Sequence, residues 1–368
     1  MKKLLFLVLV LSYTINGGGL KSSELDQKII SHLFNGECEI ADSLLEINLN
    51  NDPNNPKYLF LKAHYWFYAR YFSEINYSRD SVLTLIETYS QKAIDAGLRL
   101  KPTLENRFYM GSSYGFLSRV NGMRQDYWNA FWAAKDCRNY LESVLDDDPE
   151  FYDAYMGLGV IEYYAGKNID GFLGAIAWLV GMAGDADLGL KYFQNVYEKG
   201  TLLKTEARFA LPILTAYLEQ DTDRSIPMYD QFLSQHPENR MMKSMRIRLQ
   251  IYEEILAGNL NRITATKDSL ANQYRVTNAY VLAGTARSLL KKEMEDEAIK
   301  TLLLNIELFP DDAYSYSSLG DAYVTLNKAQ DAKKYFELAL EKLPENEIES
   351  GSYQERLRDE VIEKIESL

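Results

Sequence analysis

Gly111-Ser112-Ser113-Tyr114-Gly115 spells G-x-S-x-G, the pattern in which a serine on a strand-to-helix turn becomes an acyl-transfer nucleophile. That chemistry also needs an acid and a histidine downstream, and His236 is the one histidine that follows. The five residues fall inside a helical stretch, where small side chains serve packing, so the match reads as coincidence. His32, His64 and His236 are too scattered to hold zinc, and neither H-E-x-x-H nor C-x-x-C occurs. Asp146-Asp147-Asp148 and the Asp185/Asp187 pair lack the alternating ligands and glycine of a calcium loop. No glycine-rich stretch could cradle phosphate. No catalytic residue, metal site or cofactor is expected, and the chain reads as non-enzymatic.

Recognition is a better match to the unusual side chains. Arg70, Arg79, Arg119 and Arg124 stand close in sequence to Tyr71, Phe72, Tyr77, Tyr127 and Trp128. Arginine and aromatic residues are the types enriched at binding hot spots. Glu74, Asp80 and Asp126 are the acids that could neutralise these arginines. A second candidate is Gly171–Gly184, GFLGAIAWLVGMAG, which carries no charged side chain. Fourteen residues are too few to span a bilayer. The segment is either a buried plug or a lipid- or partner-facing hairpin led by Phe172 and Trp178.

The elements that would position these residues are helices in a repeat. With Ala313 as position 1, residues 313–344 place Tyr316 at 4, Leu319 at 7, Gly320 at 8, Tyr323 at 11, Ala332 at 20, Phe336 at 24, Ala339 at 27 and Pro344 at 32. Residues 279–312 keep the period, with Ala286 at 8, Leu289 at 11, Ala298 at 20 and Leu302 at 24. Small residues at 8, 20 and 27 let two helices approach, and bulky ones at 4, 7, 11 and 24 fill the space between them. Pro53, Pro56, Pro102, Pro149, Pro237, Pro310 and Pro344 punctuate the apolar-periodic stretches. About eight helical pairs follow: 22–53, 56–102, 103–149, 150–200, 201–237, 238–275, 276–310 and 311–344, with a polar capping helix in 350–368.

In these residues the chain resembles tetratricopeptide-repeat proteins, specifically over 276–346 and more loosely towards residue 22. The stretch Asp153–Gly159, with Gly184-Asp185 and Gly189 to Phe193, looks like exported bacterial envelope members with insertions. The resemblance implies an all-α superhelical solenoid over 20–368 whose concave face or edges bind proteins or peptides. The family's chaperone-tail clamp needs several Lys and Asn in the groove. At the ligand-facing positions of the last two repeats only Lys291 is of those types, which argues against that role.

Units 56–200 are enlarged, and the surplus is expected between paired helices, near Tyr71–Asp80, Arg119–Tyr127 and Lys167–Gly184. Turns of successive repeats line one edge of a solenoid. Arg70, Arg79, Arg119, Arg124, Tyr127 and Trp128 are therefore expected to form a partner-binding edge, joined by Phe172 and Trp178.

Charge narrows the partners. The net charge of −13 repels phosphate backbones, so nucleic acid is not an expected ligand. Lys2-Lys3, the apolar run Leu4–Leu11 and Gly17-Gly18-Gly19 have the order of a secretory signal over 1–19, which places the chain outside the cytoplasm, periplasmic or secreted. Cys38 and Cys137 fall two repeats apart, too far for an internal disulfide. The expected function is a protein- or peptide-binding scaffold of the cell envelope. The alternatives are a membrane-surface adaptor using 171–184, with peripheral membrane contact, or an accessory subunit of an envelope enzyme or transporter.

Overall fold

The computed structural model describes residues 20, 22–72, 78–168, 184–219, 221–259, 276, 278–343 and 353–368. Among the described residues every regular element is a helix: Glu24–Phe34 (α1), Cys38–Asn51 (α2), Pro56–Phe72 (α3), Arg79–Leu98 (α4), Leu104–Met123 (α5), Tyr127–Asp147 (α6), Ala154–Asn168 (α7), Ala186–Lys199 (α8), Lys204–Tyr217 (α9), Thr222–Gln235 (α10), Arg240–Leu256 (α11), Ala279–Leu290 (α12), Glu295–Leu308 (α13), Ala313–Thr325 (α14), Ala329–Glu341 (α15) and Tyr353–Glu366 (α16). Local chemistry starts many of them. The Ser23 hydroxyl accepts the Asp26 amide while the Asp26 carboxylate accepts the Ser23 amide, a reciprocal cap on α1. Ser78, Thr103, Asp126, Asp185, Asp221, Asn239 and Asp312 cap later helices in the one-way form. Pro56 takes the first position of α3, where a missing amide hydrogen costs nothing.

Each helix packs on the next, so the helices stack in pairs as the repeat register requires. The small residues sit where helices touch. A Cβ built on Gly320 would lie 2.5 Å from the Phe336 ring, so the small residue at position 8 makes room for the bulky one at position 24. A backbone contact joins α7 and α8, where a Cβ on Gly189 would lie 2.6 Å from the Tyr163 backbone nitrogen. Backbone cannot swing aside as a side chain can. Gly189→Ala is therefore expected to destabilise the chain by about 1–3 kcal/mol through overpacking, although alanine favours a helix by about 1 kcal/mol. The urea midpoint checks this, and an unchanged or raised midpoint would contradict the packing described.

In the unit 103–149 the surplus is placed differently from expectation, whereas α3 ends at Phe72 before α4 starts at Arg79, and α7 ends at Asn168 before α8 starts at Ala186, as expected. Residues 119–127 are not an inserted loop. α5 continues to Met123 and α6 begins at Tyr127, leaving a tight turn at Arg124–Asp126 with Gln125 at φ 62°. The extra residues lengthen the helices: α4, α5 and α6 have 20, 20 and 21 residues, against 13 each in α14 and α15. The cause is burial, because Phe116 and Val120 keep the apolar face of α5 in the core, and a helix held by packing runs through Asn121-Gly122. Gly171–Gly184, apart from Gly184 itself, lies outside the described residues, as do Phe172 and Trp178.

A second departure concerns the axis of the stack. Phe34, at the end of α1, packs on Tyr68 and Phe72 of α3 and also on Phe209 of α9 and Phe232 of α10, with ring centroids 4.8–6.4 Å away. Polar ties repeat the connection. Asn239 donates to the Phe34 carbonyl at 2.6 Å, Gln27 to the Thr201 carbonyl at 3.0 Å, and the Thr201 hydroxyl to the Leu20 carbonyl at 2.9 Å. The first pair thus meets the fifth, and one core cluster runs from Leu20 to Leu249. The inner face of this part is filled by the chain's own side chains. The last two repeats keep separate, smaller clusters. There α16 packs on α15, and its Lys364 pairs with Asp321 on the groove face of α14 at 2.7 Å.

Both cysteines are free and buried. Burial pushes the Cys38 thiol up to about 11 and the Cys137 thiol up to about 12, which leaves both in the unreactive protonated form at neutral pH.

Candidate partner-binding edge

The edge is built where α3 ends, α4 begins and α5 turns into α6. Arg79, in the first turn of α4, donates to the Met123 carbonyl at 2.7 Å. That carbonyl is one of the last four of α5 and has no partner inside the helix, so a cation there also meets the negative end of the helix dipole. Arg70, in the last turn of α3, points its guanidinium at the Met123 sulfur (3.4 Å) and lies against the Tyr71 and Phe67 rings at 4.3 and 4.9 Å. Arg124 turns back to α4, donating to Glu87 at 2.7 Å and to Thr84 at 3.3 Å. Three of the four arginines therefore converge on the α5–α6 turn.

The aromatic part follows directly. Asp126 caps α6 by accepting the Asn129 amide and side chain, which aims the first turn outward. Tyr127 and Trp128 are each 68% exposed and Trp132 is 42% exposed. The Trp128 and Trp132 rings meet edge to face at 5.6 Å, and the Lys135 ammonium lies 5.2 Å from the Trp132 ring. Trp132 was absent from the sequence-based set. Its i+4 spacing from Trp128 is the signal that could have found it.

Arg119 does not belong to this edge. It sits within α5 and faces inward, 5.0 and 5.3 Å from the Phe67 and Phe116 rings and 3.8 Å from the Glu206 carboxylate. Glu206 itself is buried on α9, where it accepts from His64 at 2.9 Å and from Tyr68 at 2.8 Å. Burial alone would push the Glu206 carboxyl up, but His64, Arg119 and Tyr68 together hold it below its ordinary value. The Tyr68 phenol is driven well above its usual range by burial and by Glu206. This cluster ties α3, α5 and α9 across the axis. Sequence reading missed it because its members lie 138 and 142 residues apart.

No group of three or more possible metal ligands occurs among the described residues. No described helix is long and apolar enough to cross a membrane.

No protein-family model matches the chain, and no curated protein matches it. Among solved structures, a chain of the APC/C hetero-tetramer Cut9–Hcn1 is similar at 13% identity and a TM-score of 0.43, over 92% of this chain and 55% of that one. Yeast Tom70 is similar at 13% identity and 0.35, over 93% and 73%. A tetratricopeptide repeat protein from Parabacteroides merdae is similar at 14% identity and 0.30, over 92% and 98%. The chain spans about half the length of the first of these. The chain is a solenoid of stacked helix pairs.

Two shallow concavities lie on the surface of the described residues. One is lined by Leu249, Tyr252 and Leu256 of α11 with Ser288, Lys291 and Lys292 at the end of α12. The other lies between α6, α7 and α8 and presents Glu142, Asp146 and Glu162 beside Tyr155 and Tyr192. Arg138 pairs with Glu162 at 2.7 Å and Glu142 at 3.7 Å, so much of that negative charge is answered within the protein.

Proposed function

We propose that this protein is a non-catalytic scaffold that binds protein or peptide partners, acting in the cell envelope after export. The observation that carries this reading is the uncovered trio Tyr127, Trp128 and Trp132 on α6, beside Arg70 and Arg79. Large aromatics left in water on a stacked-helix frame are poor for solubility and good for docking, because each ring offers about 150–250 Å² of rigid contact surface. The filled inner face of residues 20–249 directs binding to the outer edges of that region. Export is supported by the order of charge, apolar run and glycines in residues 1–19.

Crosslinking in cells, followed by co-purification, tests the reading with Trp128→Ser/Trp132→Ser against the unaltered chain. Both residues are solvent-facing, so the variant is expected to keep its melting temperature and to lose most of the captured protein. Unchanged capture would remove the edge from consideration, and recovery of the chain in the cytoplasmic fraction would overturn the envelope placement.

A further inference from the structure

The geometry points to a partner of defined chemistry on this edge: we propose that it docks a short acidic peptide segment carrying an apolar or aromatic anchor. This rests on the scaffold reading and adds the sign of charge and the length of the segment. The first support is which cations remain available. Arg119 is turned inward to Glu206, and Arg124 is answered by Glu87 at 2.7 Å. Arg70 and Arg79 have no carboxylate partner among the described residues, and their described contacts are a sulfur, a carbonyl, a phenol and aromatic rings. Lys135, poised over Trp132, adds a third positive charge at the far end. Asp126, inside the turn, accepts from Asn129 at both oxygens and pairs with none of these cations among the described contacts.

The second support is contrast. The chain as a whole carries −13, so an acidic segment is repelled over most of the surface and meets cations here. Such complementarity guides the encounter and fixes orientation more than it adds affinity. The aromatic rings would supply the buried anchor that the charges alone lack. From the Met123 carbonyl to Trp132 the path covers one tight turn and somewhat over one helical turn, about 15 Å, which about five extended residues match.

The test uses the full chain and three fluorescein-labelled ten-residue peptides: one with Asp/Glu flanking a Trp-Leu pair, one with Lys in place of every acid, and one with the acids kept and Ser in place of Trp-Leu. Anisotropy is expected to show binding of the first, at least about tenfold weaker binding of the other two, and affinity that falls as salt rises. Arg79→Glu, an exposed substitution, is expected to weaken the first peptide about tenfold or more, while Arg224→Glu on distant α10 leaves it unchanged. Equal binding of acidic and lysine peptides, no binding at about 1 mM, or indifference to Arg79→Glu would each overturn the proposal. If those results came with continued loss of captured protein in Trp128→Ser/Trp132→Ser, the charge assignment would fail while the scaffold reading stood.

Discussion

Glu206→Ala should cost about 3–5 kcal/mol of folding stability, because it removes a buried carboxylate and leaves the polar groups that answer it in place. Glu206 accepts from His64 and Tyr68 and faces Arg119, and all of these lie on helices that meet only through tertiary packing. Without the carboxylate, the Tyr68 hydroxyl and the His64 ring would have no acceptor in a dry interior, and Arg119 would lose its counter-charge. Glu206→Gln keeps an acceptor oxygen and should cost less. Replacing both partners, as in Glu206→Leu with His64→Leu, should recover part of the loss, since paired apolar groups need no answering bond. Urea denaturation of the four proteins checks the order. A cost below about 1 kcal/mol for Glu206→Ala would mean the cluster does not brace the closed stack. The pH sign follows from the same group. Its folded carboxyl is held below the ordinary value of 4.5, so its contribution is present above pH 4.5 and is lost as pH falls through the folded value.

Acid should weaken the fold well before that point, through His236. The residue is 5% exposed at the end of α10, with its ring 4.8 Å from that of Phe232. Burial lowers its pKa from 6.5 to about 4, partly opposed by a bond with the Ser31 backbone. The unfolded chain takes up this proton near pH 6.5 and the folded chain refuses it until about pH 4. Stability from this residue is therefore complete above 6.5 and declines as pH falls towards 4, by about 3 kcal/mol in all. Between pH 7.5 and pH 5 the expected loss is about 2 kcal/mol. The informative quantity is the difference between the unaltered chain and His236→Gln. The glutamine variant should show a flatter profile over this interval. Identical slopes would mean that His236 is hydrated in solution.

Repeat register and the small and bulky positions of each helix pair were legible before any coordinates, and the helix caps follow equally local rules. Gly320 against Phe336 is an i to i+16 relation within one helical hairpin, and Ser23 with Asp26 spans one turn. Such relations depend on 3.6-residue periodicity and on the orphan amides of a helix start, which neighbouring residues alone specify. Arg70, Arg79, Arg124, Tyr127 and Trp128 were likewise readable as one edge, because turns of successive repeats fall on the same side.

Tertiary structure decided what neighbours could not. Residues 119–127 contain Asn, Gly, Arg, Gln and Asp, and read locally as a turn. Val120 and Phe116 found a core to enter, and the helix ran on, carrying Arg119 into the interior. The same holds for Phe34 and Glu206, whose partners are set by how tightly the stack curves. That curvature is a sum of small rotations over five helix pairs, fixed only when the first pair meets the fifth and packing across the axis closes.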